Sequence, residues 1–434
     1  MSTSSPLPIA IVGSGPSGCF IAQALRRAWP KAPITVFDRL TTPFGLVRYG
    51  VSPDHQHTKT ISRQFDRIFT RDGVKFAGNI EIGTDLTLDQ LRAAFPVVVL
   101  ATGLSCDRPL DIPGADLPGI HGAGRLTRVL NGHPDEADLL PAFGENIVTI
   151  GSGNVAVDIV RFLVKTKEHF NGSDIDDELL DAYAEAPAHR IDIVSRSPLP
   201  SVKADAVMLR ELGRITGVQF RAVGDTSLPT DADQATTRRV EAVRELVAGS
   251  PAAATARVEV TFHFGRTPVA VHGTDRVHEV VLADRDGQTY TLPADSVITA
   301  IGFTRPPDGL STEPSLDEPD PKSGRIRPGL YRTGWLRRGP RGTIPENRGD
   351  ALVVAAEIVA DVEVGAVTAG SGSAGFEVLP DAVRKKAVSY ADWCRVEAAE
   401  REDAPENRVR RKIRNREHMI ALASGGKHIP ARQR

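Results

Sequence analysis

Short apolar runs closed by small-residue turns set the pattern of this chain. Ile9-Ala10-Ile11-Val12 runs into Gly13-Ser14-Gly15-Pro16-Ser17-Gly18, after which Ile21, Ala24 and Leu25 recur at helical spacing. The pattern predicts strand, turn and helix, followed by a second strand at Ile34-Thr35-Val36-Phe37 that ends in Asp38. Midway, Ile147-Val148-Thr149-Ile150 repeats the grammar before Gly151-Ser152-Gly153-Asn154-Val155-Ala156. The next strand there, Ile191-Asp192-Ile193-Val194, ends beside Arg196 and Ser197, so the polar stretch 165–189 reads as an insertion. Val97 to Leu100 before Ala101-Thr102-Gly103, and Ser296 to Thr299 before Ala300-Ile301-Gly302, predict buried parallel strands. Val258 to His263 alternates and predicts an antiparallel strand, Ala235 to Val247 predicts a helix, and Pro306 to Gly329 predicts a loop-dominated connection. No repeat other than the doubled strand-turn-helix unit is visible.

Length turns this pattern into a domain expectation, because 434 residues exceed one compact core and imply two or three domains. The formal charge of −2 excludes a general polyanion trap. One local exception is Asn407 to Arg434, with nine Lys or Arg against one Glu, which reads as a solvated terminal helix and tail. Without interleaved aromatics it does not suggest nucleic acid. Cys19, Cys106 and Cys394 are far apart and form no CxxC pair, so neither a zinc site nor a dithiol redox centre is signalled, and no metal is expected. No apolar run reaches the roughly 20 residues of a membrane span, and the N-terminus has no leader-like pattern. The expectation is a soluble cytoplasmic protein, monomeric rather than oligomeric.

The glycines divide the chemistry. Gly13 suits a tight turn, Gly15 lets backbone approach a pyrophosphate, and Gly18 lets helix sit on strand, with Pro16 and Ser17 opening the helix whose N–H groups face anionic oxygens. Asp38, 25 positions beyond Gly13, is placed to accept ribose hydroxyls. Gly151 and Gly153 repeat the device, with Asn154 and Val155 opening the second helix. Arg196 stands where an NAD-selective site carries an acid, and its fork suits a 2′-phosphate. Two adenine-nucleotide sites in one chain point to a flavin taking hydride from a nicotinamide coenzyme.

The run Pro43-Phe44-Gly45-Leu46-Val47-Arg48-Tyr49-Gly50-Val51-Ser52-Pro53-Asp54-His55 makes the reading specific. It resembles the signature of the adrenodoxin-reductase-like ferredoxin–NADP reductases. So do Gly13 to Gly18, Gly151 to Asp158 with Arg161, Leu209-Arg210-Glu211-Leu212, and Gly334 to Ile344, all in the family's order, while Tyr390 to Trp393 matches more loosely. The resemblance implies an α/β fold of two Rossmann-like three-layer nucleotide-binding domains, the second inserted into a discontinuous first. It puts FAD in 1–108 and 301–434, NADPH in 109–300, and the crossings at Gly103, beside Thr102, and Gly302. It also implies Gly45, Leu46 and Val47 at the flavin, Trp335 along the isoalloxazine, and backbone N–H groups of Gly342, Thr343 and Ile344 at its pyrimidine edge. His55 and Glu211 match a pair close to both rings, as groups that hold the nicotinamide or assist protonation.

One departure concerns the coenzyme. The family commonly places two consecutive arginines after the second domain's strand, whereas Arg196 is followed here by Ser197. Losing one charge-assisted contact costs about 1.5–3 kcal/mol, so discrimination against NADH is expected to weaken, with Lys203 as a nearby source of charge. Arg238, Arg239 and Arg244 fall where the family has a basic docking surface for an acidic iron–sulfur ferredoxin. The implied activity is hydride transfer from NADPH to FAD and single-electron transfer to a ferredoxin, for example supplying a cytochrome P450. The alternatives are a flavin-dependent NAD(P)H oxidoreductase acting on a small molecule, a quinone or oxygen, and a nucleotide-binding scaffold without turnover.

Overall fold

The computed structural model describes residues 7–136, 140–307, 310, 322–370 and 374–426. Two six-stranded sheets organise them. The first runs, edge to edge, Arg325–Arg327, Leu330–Arg332, Val97–Leu100, Ile9–Val12, Ile34–Phe37 and Lys75–Ala77. All its pairings are parallel except that of the outermost Arg325–Arg327 with Leu330–Arg332. Its central strands are buried on both faces, which is why they read as unbroken apolar runs. Helices Pro16–Ala28 and Ile344–Glu363 pack together on one face, and Leu88–Ala94 covers the other.

The second sheet, Ile120–Gly122, Ser296–Thr299, Asn146–Ile150, Arg190–Ser195, Val258–Phe264 and Val218–Val223, is parallel throughout. Helices Asn154–Val164, Ala206–Leu212 and Gln234–Ala248 cover one face. A three-stranded antiparallel meander, Thr267–Gly273, Val277–Ala283 and Thr289–Pro293, closes the other through Val271, Val280 and Leu282. The expectation for Val258 to His263 is therefore corrected: the strand is parallel to both neighbours. It lies inside the sheet, with Val260, Thr261 and Phe262 in succession buried, and the antiparallel strands follow it. The connection 306–329 holds a strand at Arg325–Arg327; its residues 308–309 and 311–321 lie outside the described residues.

Where the chain passes between the sheets, Cys106–Asp107 pairs antiparallel with Phe303–Thr304. The Asp107 carboxylate also accepts from the N–H groups of Gly124 (2.7 Å) and Arg125 (2.9 Å), opening the helix Ala123–Leu130.

As far as residue 426 the basic C-terminal stretch is not the solvated segment expected of it; residues 427–434 lie outside the described residues. Arg408 and Lys412 are buried, and Arg410, Arg411, Arg414 and Arg416 are half-buried. Residues 407–414 run across the insertion 165–189 as a strap. Arg408 donates to Asp177 (2.5 Å) and to the Phe170 carbonyl (2.8 Å), and Gly172 and Val409 exchange main-chain bonds with Asn407 and Ser173. Beneath the strap, Lys412 (3.1 Å) and Lys59 (2.8 Å) share the Asp174 carboxylate, and both donate to the Asn131 amide oxygen. Burial would raise the Asp174 carboxyl, but the two ammonium groups hold it well below the usual carboxylate range. The charge run thus finds its counter-ions inside the protein, and helix Arg416–Ala423 packs on Tyr390–Glu402.

Candidate functional site

The two glycine turns are built alike. Gly13 (φ +106°) and Gly151 (φ +118°) hold conformations that disfavour a side chain. A Cβ on Gly13 would lie 2.5 Å from the Ala101 carbonyl oxygen, and one on Gly151 2.3 Å from that of Ala300. The second glycine of each turn is far less crowded: the nearest atom to a Cβ on Gly15 would be Gly45 Cα at 3.9 Å, and on Gly153 the Lys203 Cβ at 4.0 Å, both ordinary contacts. So the first glycine lets the turn pass its neighbouring strand end, and the second leaves room for a phosphate over the helix N-terminus. Gly18 sits against the Gly13 carbonyl, 1.8 Å from where its Cβ would be, and buried Ala156 takes that place in the second unit.

Asp38 ends its strand beside the first turn. Its Oδ2 accepts from the Ser14 N–H at 2.9 Å and the Ser14 hydroxyl at 2.5 Å, and Oδ1 accepts from the Leu40 N–H at 3.0 Å. The signature run closes over the same turn: Gly45 (φ +48°) brings its Cα so near Gly15 that an added Cβ would stand 2.9 Å away. Leu46 beyond it is exposed, while the Val47 side chain turns into the core and leaves only its main chain to a ligand. Thr102 is exposed and Gly103 (φ +69°) has open space around it.

On the opposite side Ser17 donates to Asn347 (3.0 Å), and Gly334 crosses so closely that a Cβ there would meet the Ser17 hydroxyl. Trp335 stacks on Phe303, centroids 5.5 Å apart and planes 23° off parallel. Its indole Nε1 is buried with no acceptor in reach among the described residues. Buried Asp350 organises this turn by accepting from Thr333 (2.7 Å), the Gly334 N–H (2.6 Å) and Arg337 Nε (2.9 Å), with Arg338 Nε at 3.1 Å. At the start of helix Ile344–Glu363, Gly342 (φ +86°) and Thr343 are exposed and Ile344 half-buried. The Thr343 N–H is engaged by Glu346 in a capping box, which leaves the neighbouring donors of the first turn to a ligand. Glycine turns clear for phosphate, an indole N–H without a partner and a helix N-terminus fit a flavin dinucleotide on this half.

The second turn meets the first half through charge. Asn154 opens its helix and exchanges bonds with Asp205, the N-cap residue of helix Ala206–Leu212 (2.6 and 2.8 Å). That helix presents Glu211, whose Oε2 lies 3.1 Å from His55 Nε2. His55 Nδ1 lies 3.7 Å from Asp158, and Arg161 donates to Asp158 (2.9 Å) and to Asp54 (2.6 Å). Lys165 and the Ser52 hydroxyl (2.6 Å) complete the shell of Asp54. Burial would raise Asp54, yet Arg161 and Lys165 hold it well below the usual range; burial does raise Asp158 despite His55 and Arg161. The structure therefore brings His55 and Glu211 together, as the sequence reading expected, and adds Asp54, Asp158, Arg161 and Lys165. The signal for Asp158 and Arg161 was available: they stand at i and i+3 along one face of an otherwise apolar helix, and Lys165 follows at its C-cap.

At the end of strand Arg190–Ser195, Arg196 is exposed. Ser152 donates to Ser195, which donates to the Ser197 carbonyl, so the serines brace the loop beside it. The three docking arginines separate. Arg238 and Arg244 are exposed, Arg244 donating to the Thr226 carbonyl (3.3 Å), whereas Arg239 is half-buried and donates to the carbonyls of Ala204 (3.1 Å) and Pro200 (2.8 Å). Arg239 is thus an internal brace rather than part of an open basic face.

Residues 7–191 match the family model of the pyridine nucleotide-disulphide oxidoreductases. Cindoxin reductase of Citrobacter braakii is 41% identical over 97% of this chain and 92% of its own. NADPH:adrenodoxin oxidoreductase of Bos taurus is 30% identical over 90% of this chain and 87% of its own. The chain belongs to the FAD-containing, adrenodoxin-reductase-like ferredoxin–NADP reductases. The solved structure of FprA, an oxidoreductase of Mycobacterium tuberculosis, agrees with a TM-score of 0.87 at 28% identity, covering 97% of this reductase and 100% of that chain. FprA has also been solved in complex with NADPH. Despite the word disulphide in the matched family, this oxidoreductase has only the free thiols Cys19, Cys106 and Cys394. No helix among the described residues is long and apolar enough to cross a membrane.

Proposed function

We propose that this reductase takes a hydride from NADPH and delivers electrons one at a time to an iron–sulfur ferredoxin, in the cytoplasm and as a monomer. The half formed by 1–108 and 301–434 holds FAD, and 109–300 holds the coenzyme. FAD, when bound, supplies a two-electron acceptor able to release single electrons. The observation that carries this reading is the His55–Glu211 contact at 3.1 Å, which joins the loop after the first glycine turn to the helix capped by the second. In this reading Gly13, Gly15, Pro16, Ser17 and Gly18 seat one pyrophosphate, and Gly151, Gly153, Asn154 and Val155 the other. Asp38 holds a ribose, and Arg196 with Ser197 and Lys203 reads the 2′-phosphate. Trp335 Nε1 and the first-turn donors from Gly342 to Ile344 face the flavin ring. His55 and Glu211 hold the nicotinamide; hydride transfer needs no acid or base, so what these residues contribute is orientation and exclusion of water.

Arg238 and Arg244 supply the exposed charge for an acidic ferredoxin, accelerating encounter more than tightening it. Supply of a cytochrome P450 is one example of a physiological outlet for such electrons. The test is anaerobic mixing with NADPH, expected to bleach the flavin, followed by cytochrome c reduction dependent on added ferredoxin. No bleaching refutes the reading, and equal rates without ferredoxin favour a small-molecule, quinone or oxygen reductase.

A further inference from the structure

Asp54 immediately precedes His55, and three donors from two parts of the fold converge on its carboxylate. Ser52 comes from its own loop (2.6 Å), while Arg161 (2.6 Å) and Lys165 come from the end of the helix that begins at the second glycine turn. All three charged side chains are nearly enclosed, with 11% of Asp54, 6% of Arg161 and 9% of Lys165 exposed. Arg161 also binds Asp158 at 2.9 Å and stands 3.7 Å from Glu211, so its planar fork spans both acids that face His55. Lys165 extends over Phe170 at 5.2 Å, in the insertion that the C-terminal strap holds down. A buried carboxylate between two cations admits little freedom, because moving it exposes an unpaired charge.

We propose that Arg161 and Lys165 are positioning residues for hydride transfer: by clamping Asp54 they fix the His55 loop against the coenzyme half, and so set how closely the nicotinamide approaches the flavin. The clamp acts through His55 and Glu211. It rests on the function proposed above, and it adds a role for a lysine and an aspartate that the sequence reading left without one. The charge geometry, more than the mere bulk of the lysine, does the work, since it is the ammonium that meets both the Asp54 carboxylate and the Phe170 ring.

The test compares Lys165→Met, which keeps the stem, with Lys165→Arg, which restores the charge, in the flavin-loaded protein. Stopped-flow reduction by NADPH is expected to show a limiting rate at least about tenfold lower in Lys165→Met, with half-saturation changed less than about threefold, and recovery in Lys165→Arg. With the flavin first reduced anaerobically by dithionite, an equilibrium titration with NADP⁺ is expected to show a weaker long-wavelength donor–acceptor band in Lys165→Met, a readout independent of turnover. Asp54→Asn provides a second variant of unchanged size, with the same effects and no further loss when combined with Lys165→Met. A Lys165→Met protein with wild-type limiting rate and wild-type band overturns the proposal, as does a loss confined to half-saturation or an equal defect in Lys165→Arg. Failure of the unaltered protein to bleach with NADPH would instead refute the function on which it rests.

Discussion

Asp350→Asn is the sharpest test of how the Trp335 turn is held. The carboxylate is 1% exposed and binds two guanidinium groups, Arg337 (10% exposed) and Arg338 (20%), besides Thr333 and the Gly334 N–H. Asparagine preserves the shape and one acceptor oxygen but removes the negative charge that both arginines share. Breaking a buried pair from one side costs about 3–5 kcal/mol; the remaining oxygen and the partial exposure of the arginines bring this to about 2–4 kcal/mol. For units of this size each kcal/mol lowers the midpoint by about 2–4 °C, so a central value near 3 kcal/mol predicts a fall of about 6–12 °C. Thermal release of flavin fluorescence, followed alongside circular dichroism, measures it. Arg337→Gln should cost less than Asp350→Asn, and the double variant less than their sum, because both remove one shared contact. A midpoint within about 2 °C of wild type, or additive losses, would show that Asp350 does not organise the turn.

Gly45→Ala should lower the flavin content of the purified protein, because it forces Cβ at φ +48° to within 2.9 Å of Gly15 Cα; an unchanged ratio of visible to ultraviolet absorbance contradicts this. Arg196→Ala should raise half-saturation for NADPH about tenfold to a hundredfold and leave NADH little changed, whereas equal shifts would show that Arg196 does not read the 2′-phosphate. Asp54 and Asp174 are both depressed in the folded protein, so they bind fewer protons there than in the unfolded chain. Their stabilisation is complete above the unfolded carboxylate value of about 4 and is lost as pH falls below it. Asp174→Asn should therefore flatten the dependence of the thermal midpoint on pH below about 4, and an unaltered slope would refute the assignment.

Much of the site was legible because its chemistry is local. A strand, a glycine turn and a helix occupy consecutive residues, and Gly13 and Gly151 announce their φ angles by having no side chain. His55 and Glu211 were legible only through resemblance, since 156 positions separate them and no spacing rule connects them. The basic C-terminal run was misread because Arg408 looks the same on paper whether it faces water or Asp177, and its partner lies 231 positions upstream. Arg239 was misread likewise: helical spacing shows which side chains share a face, but not that carbonyls of Pro200 and Ala204 wait beside one of them. Strand direction at Val258 escaped the pattern because alternation reports burial on each face, not the orientation of the neighbours.

The strap bears on how the molecule is made. The second sheet draws all its strands from one continuous stretch, 120–299, so every strand it needs has been synthesised before the rest of the chain. The first sheet must wait for Leu330–Arg332, and the Ser17 hydroxyl for an asparagine 330 positions later. Residues 407–414, among the last to emerge, then tie the insertion to Lys59 and the signature loop. A nascent chain stalled before residue 407 would carry the whole second sheet without the strap that ties its insertion to the first, a state in which chaperone capture and premature proteolysis compete with completion.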